Sequence, residues 1–121
     1  FNRRSIYRTW ARGNVHPLLA PLDCPDPSAS APVRSITTTP LGALSMMNTS
    51  FVLRMSRKFS DRLKAEAGND IKAQVKRGFE LAFMREPKEE EKKLIEDFVK
   101  KNGLTALCRV LLNSNEFIYL N

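Results

Sequence analysis

The apolar residues in the second half of this chain recur at helical spacing, and that pattern limits the choice of fold more than any other feature. From residue 40 to residue 112 an apolar side chain returns every three or four positions, and short stretches with Gly, Pro or Asn separate the runs. A chain of 121 residues is long enough for a single domain with one hydrophobic core. We therefore predict a mainly α fold, in which about four helices form a bundle.

The first predicted helix is the longest and runs from Pro40 to about Ala67, because Thr39 is a good N-cap and proline a good first helical residue. The segment Asn48-Thr49-Ser50 lies inside it, where short polar side chains compete for backbone hydrogen bonds and bend or interrupt a helix. Its predicted apolar stripe is Leu41, Leu44, Met47, Phe51, Met55, Phe59 and Leu63. The opposite face carries a row that suits either solvent or a binding partner: Arg54, Arg57, Lys58 and Arg62.

The next two predicted helices have clear borders. Gly68-Asn69 ends the first helix and Asp70 caps the second. The third begins near Pro87 and ends at Gly103, with glutamates in its first turns and lysines in its last, as the helix dipole favours. Its narrow apolar stripe is predicted to be Leu94, Ile95, Phe98 and Val99, and Glu89 is predicted to face Lys93.

A fourth helix is predicted from about Leu104 to Leu112, with Cys108 among its inward residues. The residues after Asn115 are predicted to be a short extended tail packed on the core. Within the single domain, 40–121 is therefore the helical part and 1–39 an irregular, basic segment packed over it.

Most of the net positive charge of the chain lies in its first half. Residues 1–60 hold 8 Arg or Lys against 2 Asp or Glu, whereas residues 61–121 hold 12 against 11. Seven of the first eight cations are Arg, whose planar fork favours bidentate pairing with carboxylate or phosphate. An acidic or polyanionic partner is one interpretation. The other is that these arginines fasten irregular loops to backbone carbonyls and to aspartates.

The candidate binding residues lie in the irregular segment: Arg3, Arg4, Tyr7, Arg8 and Arg34. Rings that alternate with cations near Tyr7 and Trp10 suit stacking on a sugar or a base. The alternative is an extended arm that packs Ile6 and Trp10 on the helices. Charge alone leaves nucleic acid open as a partner.

Two residues are candidates for catalysis, His16 as a general base and Asp26 as its carboxylate partner. No nucleophile motif such as G-x-S-x-G accompanies them, and the prolines on either side of Asp26 favour a rigid turn instead. Whether the chain is an enzyme stays open at this point.

The two cysteines, Cys24 and Cys108, have neither metal-ligand nor redox spacing, and no C-x-x-C-H motif for haem is present. We expect no metal and no cofactor in this chain. Whether the cysteines pair depends on their distance in the fold. We expect Cys108 to be a small core residue. No apolar run approaches the roughly 18 residues of a spanning helix, so we expect no transmembrane segment.

Five ordered motifs resemble the C-terminal part of the planctomycete PSD1 family, also called DUF1553. They are Arg3-Arg4-Ser5-Ile6-Tyr7, Pro25-Asp26-Pro27, Arg34 with Thr37-Thr38-Thr39-Pro40-Leu41 and Ala43-Leu44, Leu81-Ala82-Phe83-Met84-Arg85-Glu86-Pro87, and Leu111-Leu112-Asn113-Ser114-Asn115-Glu116-Phe117. Two positions depart from the family pattern: Gly42 stands where Gln is expected, and Met84 stands where Gly is common.

The resemblance implies a large exported bacterial protein, periplasmic or on the cell surface, in which this domain follows a companion domain and often a cytochrome c module. Any haem c would then lie elsewhere in the parent protein. The partners expected are then the neighbouring domains and, for the Arg-rich segment, an acidic partner domain or an anionic polysaccharide. The exported setting that the resemblance implies makes nucleic acid an unexpected partner. We therefore expect a non-catalytic binding or assembly module, and the alternative is part of a hydrolase acting on polysaccharide.

Overall fold

The computed structural model describes residues 7, 16–17, 19–25, 29–30, 32–33 and 39–119, and in this part of the chain it contains helices and no strand. Six α-helices occur in these residues: α1 (Pro40–Asn48), α2 (Ser50–Ala67), α3 (Ile71–Phe83), α4 (Glu89–Asn102), α5 (Leu104–Asn113) and α6 (Asn115–Ile118). The predicted mainly α fold is therefore confirmed. The helices found among the described residues are too short or too polar to cross a membrane.

The chain divides into two compact units, Phe1–Met46 and Met47–Asn121. In the first unit a short 3-10 helix covers Ala20–Leu22, and the start of α1 is capped as predicted, since the Gly42 amide donates to Thr39 Oγ1 at 3.0 Å. Gly42 is buried, and a Cβ at this position would lie 2.9 Å from the Pro21 carbonyl oxygen. The backbone of Pro21 thus lies too close to position 42 for a side chain. This explains why Gly42 stands where the family pattern has Gln.

The predicted first helix is two helices. Thr49 has an extended conformation (φ −63°, ψ 135°), which separates α1 from α2. Arg109 of α5 secures the break, because its Nε donates to the Met47 carbonyl at 2.8 Å and its Nη2 to Asn48 Oδ1 at 3.1 Å. Helix α1 therefore ends within the segment Asn48-Thr49-Ser50, where the sequence predicted a bend or an interruption.

The core of the second unit lies between α2, α3, α4 and α5. Its buried cluster consists of Leu63, Val75, Phe79, Val99, Leu104, Leu107, Cys108 and Leu111. Helix α5 supplies four of these eight residues and packs against α2, α3 and α4. The predicted inward positions of α5 are thus confirmed for Leu104, Leu107, Cys108 and Leu111.

The predicted apolar stripe of the first helix is wrong in its first half. Leu41, Leu44, Met47 and Phe51 are all exposed. Helix α2 instead turns Val52, Ser56, Ser60 and Leu63 to the interior. Because two of the buried residues are serines, the buried face of α2 is less apolar than the exposed stripe. The spacing of apolar residues therefore predicted the wrong face.

Three local predictions are corrected in α4 and after α5. Leu94 is 74% exposed and does not belong to the core. Glu89 pairs with Lys92, one residue before the predicted Lys93. The residues from Asn115 form the one-turn helix α6 and not an extended tail, because the amides of Phe117 and Ile118 donate to the Ser114 carbonyl.

Met84 ends α3 in a left-handed conformation (φ 56°, ψ 26°) and is 94% exposed. This conformation costs a residue with a Cβ about 1 kcal/mol, whereas glycine adopts it freely. The left-handed backbone conformation therefore explains why glycine is common at this position in the family.

We expect Met84→Gly to raise the free energy of unfolding by about 0.5–1 kcal/mol, because relief of the backbone strain exceeds the added entropy of the unfolded chain. Urea denaturation measures this difference. Met84→Ala, which keeps the Cβ, is the control and is expected to leave stability unchanged. Equal stability of the glycine and alanine variants would contradict the argument.

Ser60 is a second residue, after Met84, that lowers the stability of the fold. Its side chain is buried and its Oγ has no hydrogen-bond partner in the described residues, whereas the Oγ of buried Ser56 donates to the Val52 carbonyl at 2.9 Å. A buried unsatisfied hydroxyl destabilises a fold by about 1–3 kcal/mol.

Ser60→Ala is therefore expected to stabilise the protein by about 1 kcal/mol, since it removes the unsatisfied group and favours the helix. Ser56→Ala is the matched change and is expected to be less stable than Ser60→Ala, because it loses a formed hydrogen bond. Thermal unfolding followed by circular dichroism compares the two. A lower melting temperature for Ser60→Ala than for the parent would refute the assignment.

Candidate functional site

Most of the binding and catalytic residues predicted from the sequence lie outside the described residues. These are Arg3, Arg4, Arg8, Asp26 and Arg34. Their proposed roles stay predictions.

Tyr7 and His16 are described. Tyr7 is 73% exposed, as a binding residue requires. His16 is half-buried, and its carbonyl accepts from the amides of Leu19 and Ala20 at 2.9 Å each. The backbone of His16 thus builds the turn before the 3-10 helix, which is a structural role and leaves the part played by its imidazole untested.

The two cysteines are both free. Cys108 is fully buried in the core, and burial raises the pKa of its thiol to about 12. A thiol that stays protonated at neutral pH is neither a nucleophile nor a metal ligand. Cys108 is therefore a core residue, as expected. Among the described residues no three His, Cys, Asp or Glu side chains lie together as a metal site would need.

The second unit carries a basic face on α2, formed by Arg54, Arg57 and Lys58. Residues three and four apart are neighbours on a helix surface, so these three cations lie side by side. All three are exposed, and none makes an ion pair with another described residue. Asp61 is the next acidic residue along the helix and makes none either. This α2 basic face is thus a cationic surface without a neutralising partner in this unit.

An aromatic ring borders the α2 basic face. Phe51 is 42% exposed, and the Arg54 guanidinium carbon lies 5.9 Å from the centroid of its ring. A cation over the face of a ring holds both groups at the surface. The sequence pattern missed this pair, because it placed Phe51 in the apolar stripe.

Several other charged groups of the second unit form ion pairs. Glu66 accepts from Arg62 and Arg77, whose hydrogen bonds lower the pKa of its carboxyl. Lys76 pairs with Glu86 at 2.8 Å. These pairs leave the α2 basic face as a local excess of positive charge.

An open groove of about 460 Å³ lies between α3 and α4. Its charged lining is mixed, with four lysines and three carboxylates: Lys72, Lys76, Lys92, Lys93, Asp70, Glu89 and Glu96. Asp70 is already used as the cap of α3, and Lys92 is paired with Glu89. The groove therefore shows neither a concentrated charge nor an arrangement of catalytic groups.

Arg85 is the centre of a cluster of hydrogen bonds with Glu91 and Glu116. Its Nε and Nη2 donate to the two carboxylate oxygens of Glu116 at 2.7 and 2.9 Å. Its Nη1 and Nη2 donate to the two oxygens of Glu91 at 2.9 and 3.1 Å, and Nη1 also donates to the Glu86 carbonyl at 3.2 Å. A guanidinium has five N–H groups, so all of them are used.

The Arg85 guanidinium also covers two rings of α3. Its central carbon lies 5.3 Å from the centroid of Phe79 and 5.5 Å from that of Phe83. The two rings meet edge to face at 5.1 Å. Because rings and carboxylates both fix the guanidinium, Arg85 joins the end of α3 to the start of α4 and to α6.

Glu91 has a second partner, since it accepts from the Lys88 amide at 2.7 Å and so caps α4. The hydrogen bonds from Arg85 and then from the Lys88 amide lower the pKa of the Glu91 carboxyl to about 2. The hydrogen bonds from Arg85 also lower the pKa of Glu116. The cluster is thus fully ionised at neutral pH.

Comparison with known families decides the identity of the chain. The model of the family described as PSD1, protein of unknown function (DUF1553), matches residues 1–99. The chain belongs to the PSD1 family. Curated proteins and solved structures gave no match. The match confirms the resemblance for the motifs within residues 1–99, and the family description assigns neither a ligand nor a reaction.

The structure gives a reason for two of the PSD1-like motifs. The motif at 81–87 contains Arg85 and the motif at 111–117 contains Glu116, and these two residues form the bidentate pair. The second motif follows the matched range, as does the whole of α5. The folded unit of this PSD1 chain therefore includes residues beyond the family match.

Because the pKa of Glu91 is low, this PSD1 chain is expected to lose stability in acid. The ionised carboxylate stabilises the folded state fully above the ordinary value of 4.5, and this contribution is lost as pH falls toward about 2. We expect melting temperature to fall over this range, and to fall less steeply in Glu91→Gln. Circular dichroism melts from pH 2 to pH 6 provide the measurement.

The control is Glu90→Gln, which changes an exposed neighbour that forms no ion pair in the described residues and is expected to follow the parent curve. A Glu91→Gln curve with the same slope as the parent would show that the Arg85 and Lys88 contacts do not stabilise the ionised form.

Proposed function

We propose that this PSD1 chain is a non-catalytic binding module that docks on an anionic polysaccharide through exposed basic residues, as a domain of an exported protein. The observation that supports it best is the α2 basic face, where Arg54, Arg57 and Lys58 are exposed and carry no carboxylate partner in the described part of the chain. Exposed cations that form no ion pair are available to an external anion.

The shape of this surface also favours an extended ligand. The three cations lie along successive turns of one rigid helix, and the exposed Phe51 ring borders them beside Arg54. A row of cations matches the repeated charges of a polymer, and a ring offers an apolar face to a sugar.

The Arg-rich segment is a second proposed contact region, separate from the α2 basic face. Arg3, Arg4, Tyr7, Arg8 and Arg34 stay the proposed ligand contacts of residues 1–39, with Tyr7 exposed as this role needs. The export of the parent protein rests on the family resemblance and would place the module among cell-envelope polysaccharides.

The test is a salt series of binding to a carboxylated polysaccharide (polygalacturonate), a sulfated one (heparin) and duplex DNA. We expect the polysaccharides to bind, the affinity to fall with salt, and the triple variant Arg54→Gln, Arg57→Gln, Lys58→Gln to bind about tenfold more weakly at low salt. A second variant, Arg3→Ala with Arg4→Ala and Arg34→Ala, reports on the irregular segment.

The matched control removes the same charge elsewhere. Lys72→Gln, Lys93→Gln and Lys101→Gln change three exposed lysines on α3 and α4 that form no ion pair in the described residues. If the control weakens binding as much as the α2 variant, only net charge matters and the docking surface is wrong. No binding to any of the three polymers would reject the function.

A further inference from the structure

Helix α6 is linked to Arg85 by one partly exposed ion pair. It has four residues, none of them buried, and it packs against α3 and α5. Its own backbone bonds are local: the amides of Phe117 and Ile118 donate to the Ser114 carbonyl, and the Tyr119 amide donates to the Asn115 carbonyl. Two side-chain hydrogen bonds connect α6 to the segment between α3 and α4, and both run from Arg85 to Glu116.

Arg85 has a different relation to each of its two carboxylates. Glu91 lies six residues away and also caps α4 through the Lys88 amide, so this pair belongs to the α3–α4 connection. Glu116 lies 31 residues away and is the carboxylate that links Arg85 to α6. Loss of the Glu116 pair would leave Arg85 anchored by Glu91 and by the Phe79 and Phe83 rings, while α6 would lose its fork of two hydrogen bonds.

The pair is open to solutes. The side chains of Arg85 and Glu116 are 31% and 45% exposed. The Nε and Nη2 edge of a guanidinium fits two oxygens of a carboxylate or a phosphate equally well. A dissolved oxyanion can therefore compete with Glu116 for the same two donors.

We propose that α6 is a latch, closed by the Glu116 carboxylate on Arg85 and opened by an oxyanion that takes the place of Glu116. Opening releases the one-turn helix and leaves the bundle of α2 to α5 folded, because the core cluster contains no residue of α6. The latch rests on other residues than the proposed polysaccharide surface, so each proposal stands or fails alone.

Hydrogen exchange followed by NMR tests the latch through the amides of Phe117, Ile118 and Tyr119. In Glu116→Gln we expect these amides to exchange about three- to tenfold faster than in the parent, while amides of Val75 and Leu107 keep their rates. In the parent, inorganic phosphate is expected to speed α6 exchange more than sodium chloride at equal ionic strength, and to add nothing in Glu116→Gln.

Glu86→Gln is the matched control, since it breaks the exposed Lys76–Glu86 pair and leaves α6 untouched. It is expected to leave α6 exchange as in the parent. Unchanged α6 exchange in Glu116→Gln would show that apolar packing holds α6, and equal acceleration at Val75 and Leu107 would show global destabilisation. Equal effects of phosphate and chloride would show that no oxyanion competes for Arg85. Each of these results would overturn the latch.

Discussion

The close packing of α5 against α2 and α3 is the constraint on which the rest of the helical unit depends. Leu111 of α5 and Leu63 of α2 both approach Gly78 of α3, where a Cβ would lie 3.3 and 3.4 Å from their methyl groups. Ser56 and Ser60 keep the buried side of α2 small. Small residues at these positions let three helices approach closely, and close packing is what gives the buried apolar groups their contacts.

Arg85 adds a second level of organisation to this core. The packing of α5 brings the chain back toward the end of α3, so that Glu116 reaches an arginine already held by Glu91 and by two rings. A fork with every donor used fixes the mutual positions of α3, α4 and α6 more closely than a lysine pair would. The cost of desolvating the guanidinium is offset by four carboxylate contacts and one carbonyl contact.

The proposed function rests on exposed cations of α2 that form no ion pair in the described residues. Within the second unit, glutamates are drawn into contacts with Arg62, Arg77 and Arg85, whereas Arg54 and Arg57 face solvent. Thus the same chain uses arginine both as an internal connector and as an exposed cation. The difference is set by whether a carboxylate lies within reach in the fold.

The ends of the helices could be predicted from the sequence because the residues that cap or end a helix lie within a few positions of it. The Thr39 and Asp70 caps, the glutamates at the start of α4, the glycine after it and the inward face of α5 all appear as expected. The exposed stripe from Leu41 to Phe51 was not open to prediction. Apolar spacing marks a face of a helix, but which face is covered depends on the neighbouring helices.

The amino-acid sequence by itself determined the helices, their caps, the basic balance of the first half and the PSD1 family, since each of these is written in residues that lie close together in the chain. Only the tertiary structure decided that α2 turns serines inward, that Cys108 is an inert core thiol, and that Arg85 meets Glu116 across 31 residues. The physical reason is that burial and ion pairing are properties of distances between elements, and the packing of α5 sets those distances.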